Sequence, residues 1–157
     1  MPKLWQSTST KLHPLVEKYT VGNDFELDKR LLPFDIEASK AHAKALTKIG
    51  VLTQEELDTL TKGLDEILAL HEAGKFTIEQ SDEDCHTAIE NYLVKKYGVL
   101  GKKIHTGRSR NDQVLVATRL YTRKKLKQVS RELVALQKVF LKMAKKYEFL
   151  PMPGYTH

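Results

Sequence analysis

The chain has 157 residues, 41% of them hydrophobic and 29% charged, a balance that suits a globular chain with one sizeable core and excludes a disordered segment. The formal net charge of +6 is unevenly placed: residues 1 to 94 carry a net of −7 and residues 95 to 157 a net of +13, a polarity that fits a nucleic-acid surface, two halves facing each other, or the gathering of an anionic substrate. A single cysteine, Cys85, excludes a disulfide framework, and neither a signal-peptide core nor an apolar stretch of membrane-spanning length occurs, so a soluble cytoplasmic protein with no membrane partner is expected.

In chain order the punctuation is helical throughout, with no alternating strand pattern between turn residues, and the expected fold class is all-α. A helix from about Asp24 to Lys48 places Leu27, Leu31, Phe34, Ala38, Ala41, Ala45 and Ile49 near the apolar spacing. Gly50 is its stop, and Pro33 within it predicts a kink or a break. Thr53 followed by Glu56 has capping-box spacing and opens a second helix, with Leu57, Leu60, Leu64, Ile67 and Leu68 on one face and a close near Gly74. A third helix is expected to start at Ser81, with Asp84 three residues on, and to end at Gly98. A basic loop, LGKKIHTG, follows.

From about Ser109 to Glu148 neither Gly nor Pro interrupts the chain, which permits one helix of roughly 60 Å. Its residues Leu126, Val129, Leu133, Leu136, Phe140, Met143 and Tyr147 alternate three and four apart, the seam by which a helix joins a bundle. The expected organisation is a helical domain over 1–108 leading into a bundle-forming helical segment over 109–157.

Three polar segments are candidates for chemistry. Thr106 to Gln113 stands at the mouth of the long helix, where free backbone N–H groups and the positive dipole end join the guanidiniums of Arg108 and Arg110 and the amide of Asn111. That set suits a carboxylate or phosphate; the plainer alternative is that Ser109 or Asn111 caps the helix and the arginines are solvated. Ser81 to Thr87 crowds acids at a helix start, which complements the dipole without any function, and only His86 and Glu90 have metal-ligand spacing, so no metal is expected. The segment Pro151 to His157 breaks the long helix and presents the Thr156 hydroxyl beside the His157 imidazole, a group able to move a proton near neutral pH unless it is simply frayed. The run Arg123-Lys124-Lys125-Leu126-Lys127 has only Tyr121 nearby for stacking and reads as a solvated helix face, so no nucleic-acid partner is expected.

Taken together, GRSRNDQV at 107–114 and MPGYTH at 152–157 resemble the argininosuccinate lyases, a branch of the fumarase/aspartase superfamily. The resemblance extends to Lys3-Leu4-Trp5, to Asp35-Ile36 with Ser39 and Ala41-His42, and to Glu83 through Thr87, and so covers nearly the whole chain. Near the start this chain departs from the family: Trp5 is followed by Gln6-Ser7, and Asp28, rather than Asp24, matches the family aspartate.

The resemblance implies an all-α homotetramer that splits argininosuccinate reversibly into arginine and fumarate by β-elimination, in the service of arginine biosynthesis and with no cofactor. Residues 109–157 would form the start of its central helix bundle, and each active site would gather stretches from three subunits. It further implies that Arg110 and Asn111 bind substrate with Ser109 in support, that His86, Thr87 and Asp28 line the same pocket, that Thr156 holds a substrate carboxylate and that His157 takes part in proton transfer. The family's proton-abstracting serine lies on a Gly/Ser-rich loop well downstream of this last motif, so residues 1–157 alone are expected to lack activity. The competing expectation, from another class, is a helical module that oligomerises or binds an acidic partner without catalysis.

Overall fold

The computed structural model describes residues 13, 15, 16, 19 and 22–157. The Lys3-Leu4-Trp5 stretch, Gln6, Ser7 and Val21 lie outside them. The described residues form helices and no strand: α1 (Asp24–Leu27), a 3-10 turn (Asp28–Arg30), α2 (Leu32–Lys48), α3 (Gln54–Glu72), a 3-10 turn (Gln80–Asp82), α4 (Cys85–Tyr97), α5 (Val99–Lys103) and α6 (Arg110–Tyr147). Among them no helix is long and apolar enough to cross a membrane. By compactness the chain divides into two units, Met1–Leu120 and Tyr121–His157.

In the first unit, local chemistry sets the helix ends. Thr53 accepts the Glu56 backbone N–H at 3.2 Å while the Glu56 carboxylate accepts the Thr53 N–H at 2.9 Å, the reciprocal box expected from the spacing. Gly50 and Gly74 both stop their helices in the left-handed region, at φ +78° and +67°. The N–H of Val51 then reaches the Leu46 carbonyl at 2.9 Å, and that of Lys75 reaches Leu70 at 2.8 Å, so the last carbonyls of α2 and α3 are satisfied.

Leu32, Ile36, Leu46, Leu60, Leu64, Ile67, Ile89 and Leu93 bring α2, α3 and α4 onto a common core. Each such buried side chain contributes roughly 1.5–3 kcal/mol relative to exposure. Gly101 on α5 sits so close to α4 that a Cβ there would lie 2.4 Å from the Leu93 carbonyl carbon, which is why α5 packs against α4 only with glycine at this position.

The break expected within Asp24 to Lys48 is present, placed at the 3-10 turn before α2, so that Pro33 lies in the first turn of α2, where a missing N–H costs nothing. Three expectations are corrected, beginning with this stretch. The apolar face expected there is not the buried one. Leu27 and Ile49 are 56% and 72% exposed, and α2 buries Leu32, Asp35, Ile36, Ser39, Ala43 and Leu46. Ser81 does not begin the third helix. Glu79 and Asp82 form a box around the second 3-10 turn, Glu83 turns the chain at φ +70°, and Asp84 caps α4 by accepting the Thr87 N–H at 2.8 Å. Finally, the basic loop after Gly98 contains α5.

The second unit, described by itself, consists of α6 from Tyr121 onward and a tail from Glu148 to His157. The seam is exposed from end to end, Leu126 at 64%, Leu133 at 54% and Phe140 at 60%. Thr156 and His157 are exposed in the tail.

Candidate functional site

Two helix N-termini converge in the first unit. At the start of α6, Ser109 acts as the cap: its hydroxyl and backbone N–H both donate to Asp112 Oδ2, at 3.1 and 2.8 Å, and its carbonyl accepts the Gln113 N–H at 3.4 Å. These bonds hold the Asp112 carboxyl below its ordinary value. Asn111 stands exposed in the first turn, with Arg108 and Arg110 half-buried on either side of Ser109.

At the start of α4, Asp84 Oδ1 accepts both the N–H and the hydroxyl of Thr87, at 2.8 and 3.0 Å. Asp28, brought in from the 3-10 turn after α1, adds a second carboxylate, its Oδ2 accepting the Cys85 N–H at 3.1 Å. Burial raises the Asp28 carboxyl above its usual value, against the pull of the Cys85 N–H and the charge of His86.

Arg110 joins the two ends. Its Nη1 pairs with Asp84 Oδ2 and lies 3.9 Å from a Glu83 carboxylate oxygen, and its Nη2 donates to the Thr87 hydroxyl at 2.6 Å. Arg110 therefore bridges residues 26 and 23 positions away in the chain. The fork is already bound on one side by protein acceptors, and its side chain remains 31% exposed on the other.

Behind this surface runs a buried polar chain that composition and spacing do not show. His86 Nδ1 lies 2.8 Å from Asp35 Oδ2, with both side chains buried. Asp35 Oδ1 accepts from the Ser39 hydroxyl at 3.4 Å, and Ser39 accepts from Arg108 Nη2 at 3.1 Å. Burial disfavours the His86 imidazolium, but Asp35 by its hydrogen bond and charge, with Asp84 and Asp28, outweighs burial and raises its pKa. Burial also lowers the Arg108 pKa, against the charges of Asp35, Glu90 and Asp112.

Asp28, Cys85 and His86 also present potential metal-ligand atoms within 4.8 Å of one another. The sequence could not assemble this trio, because Asp28 lies 57 positions from Cys85. Burial and the neighbouring Asp28, Asp35 and Asp84 push the Cys85 thiol far above its usual pKa, so it keeps its proton and is a poor ligand as it stands.

Of the residues singled out from sequence, the structure therefore brings together Asp28, His86, Thr87, Ser109 and Arg110, with Asn111 in the same first turn of α6. Thr156 and His157 belong to the second unit. The plain capping role is real for Ser109, whereas of the acids before α4 only Asp84 caps it and none lies in its first turn. Missing from the sequence reading of the site were Asp84 as the partner of Arg110 and Asp35, Ser39 and Arg108 as the support of His86. Nothing in the sequence marks these partners, because Asp35 and Ser39 meet His86 and Arg108 only through the fold, 51 and 69 positions away.

Comparison with known proteins gives a consistent picture. A family model described as "Lyase" matches residues 8–157. The chain is 49% identical over 155 residues to the argininosuccinate lyase of Thermotoga neapolitana, 99% of this chain and 39% of that protein. It is 48% identical over 140 residues to the argininosuccinate lyase of Sorangium cellulosum, covering 89% of the chain and 33% of that protein. To the argininosuccinate lyase of Xanthomonas oryzae it is 44% identical over 154 residues, 98% of the chain and 36% of that protein. The chain thus spans between a third and two fifths of the length of these relatives.

Proposed function

The chain belongs to the lyase family, and from that premise we propose that it supplies the substrate-carboxylate side of an argininosuccinate lyase, which eliminates fumarate from argininosuccinate and releases arginine. The observation that carries this reading is the junction of the α4 and α6 N-termini through Arg110. Two positive dipole ends, the exposed part of one guanidinium and the Asn111 amide meet at one surface.

The chemistry explains the need for such a surface. Removing the proton beside a carboxylate builds a second negative charge on that carboxylate, so donors fixed before the reaction stabilise the carbanionic intermediate more than the substrate. Arg110 is held by Asp84 and Thr87, so it does not reorganise as charge develops, and Asn111 presents its exposed amide from the first turn of α6. Neutralising part of the Arg110 charge with Asp84 keeps the site from binding every anion tightly, while the amide of Asn111 adds a donor without charge.

In the same reading Thr156 holds a substrate carboxylate and His157 moves a proton, each in a site assembled from more than one copy of the protein. The exposed seam from Leu126 to Tyr147 fits a bundle helix of a homotetramer, and the single cysteine fits the cytoplasm.

The test is fumarate and arginine release from argininosuccinate by the complete protein that contains this chain. Stoichiometric release of both supports the reading. Fumarate release from a different amino-substituted succinate, with argininosuccinate untouched, would replace the substrate and keep the reaction class. A seam that associates, in a protein that releases no fumarate, would leave the helical oligomerisation module as the better account.

A further inference from the structure

We propose that the polar stripe of α2 formed by Asp35, Ser39 and His42 is the positioning element of this site: Asp35 fixes the ring of His86, while Ser39 and His42 hold the segment that leads into α6. The inference deepens the lyase reading and rests on it for its activity readout alone.

The three residues stand at i, i+4 and i+7, which a helix places on one face. That face is turned inward: Asp35 and Ser39 are fully buried and His42 is half-buried. A buried carboxylate is tolerated only with partners, and each member of the stripe has one from elsewhere in the chain. Asp35 pairs with His86 on α4 at 2.8 Å. Ser39 takes the Arg108 guanidinium at 3.1 Å, and His42 Nε2 bonds the Thr106 carbonyl at 2.9 Å. One helix thus grips both the α4 end and the residues just before the α6 cap, the two ends that Arg110 bridges at the surface.

The arrangement also sets which nitrogen of His86 carries the proton. Asp35 is an acceptor, so Nδ1 is the donor, and Nε2 is left buried with no hydrogen-bond partner among the described residues. A pair needed only for packing has no such requirement, because an ion pair of this kind can be replaced by apolar groups of similar volume at little cost in stability. Asp35, Ser39 and His42 touch no reacting atom in this account; they act through His86, Arg108 and Thr106.

Long-range proton–nitrogen NMR correlation of the His86 ring in the wild-type chain reads the tautomer directly. Protonated Nδ1 with bare Nε2 in the neutral ring is the expected result, and the opposite tautomer overturns the proposal. Steady-state kinetics of the complete protein provide the second arm. Asp35→Asn is expected to lower kcat at least about tenfold while KM stays within about threefold, since misplacing a group costs rate more than ground-state affinity. An Asp35→Asn protein that folds and keeps wild-type kcat overturns the proposal.

If Asp35→Asn does not fold, Ser39→Ala against Ser39→Thr decides. A fall in kcat with Ala that Thr restores supports positioning, and wild-type kcat in Ser39→Ala contradicts it. Should the wild-type protein release no fumarate, the lyase reading falls and the tautomer measurement still decides the role of Asp35.

Discussion

The two units hold helix in different ways. In the first, α2, α3 and α4 are short and each buries an apolar face, with Leu32, Leu60, Leu64 and Leu93 all fully inaccessible. In the second, the stretch of α6 from Tyr121 to Tyr147 has its apolar seam exposed, so its helicity rests on residue propensity, absence of Gly and Pro, and local pairs such as Gln128 with Glu132 at 2.8 Å. The lesson is that one sequence pattern, apolar residues three and four apart, is compatible with a finished core in one place and with an unburied seam in another. Periodicity identifies the element, and burial identifies what it is for.

The largest expected effect breaks this contrast if it fails. Leu60→Ala, in the core, is expected to cost about 2–5 kcal/mol of stability, whereas Leu133→Ala, at 54% exposure, is expected to change it by no more than about 0.5 kcal/mol. Urea denaturation of this chain at a concentration where it is monomeric measures both, and equal costs would show that the seam is buried after all. Next, Gly101→Ala forces a Cβ against the Leu93 backbone and is expected to cost about 1–3 kcal/mol by the same method. Gly154→Ala, with open space around it, serves as its comparison in the second unit, and an equal cost there would refute the packing argument.

Smaller again is the cap. Thr53→Ala removes one half of the reciprocal box at the start of α3 and is expected to cost about 1 kcal/mol, whereas Thr53→Ser should restore most of it.

The smallest effect is electrostatic, and it has opposite signs at two histidines of the first unit. The His42 pKa is lowered from 6.5 by burial, against the pull of the Thr106 carbonyl, so its contribution to stability is complete above 6.5 and is lost as pH falls through the folded value. The His86 pKa is raised from 6.5, because Asp35 and the nearby acids overcome burial. Its contribution is present below 6.5 and lost as pH rises through the folded value. In a series of denaturation curves, the stability cost of His42→Asn is expected to grow as pH rises toward 6.5 and then level off. A cost that grows on acidification would contradict the assigned environment.

Much of the fold was legible because it is written in short-range chemistry. The Thr53–Glu56 box, the glycine stops at Gly50, Gly74 and Gly98 and the uninterrupted run into α6 each depend on residues a few positions apart, and all are found close to the expected places. The buried face of α2 was not legible, because Asp35 and Ser39 become tolerable inside only through His86 and Arg108, 51 and 69 positions away. Around Ser81 two overlapping box spacings compete, Glu79 with Asp82 and Ser81 with Asp84, and local pattern does not rank them; the structure uses the first and keeps Asp84 for α4. The short α5 was hidden in a run of glycines and lysines whose helix is stabilised by packing on Leu93, not by propensity.

The candidate site was legible in a different measure. Arg110, Asn111, Ser109, His86, Thr87 and Asp28 were named from their segments and from resemblance, but the sequence offered no reason why these segments should meet. The Arg110 bridge to Asp84 and Thr87 supplies that reason.

Whether that bridge is a binding surface is measured most directly by kcat/KM for fumarate release by the complete protein. Arg110→Ala should lower kcat/KM by more than about tenfold, while Lys127→Ala, which removes an exposed charge from the second unit, should leave it within about twofold. A loss of less than tenfold in Arg110→Ala, or an equal loss in both variants, would contradict the assignment of the α4–α6 junction as the place where substrate carboxylate is held.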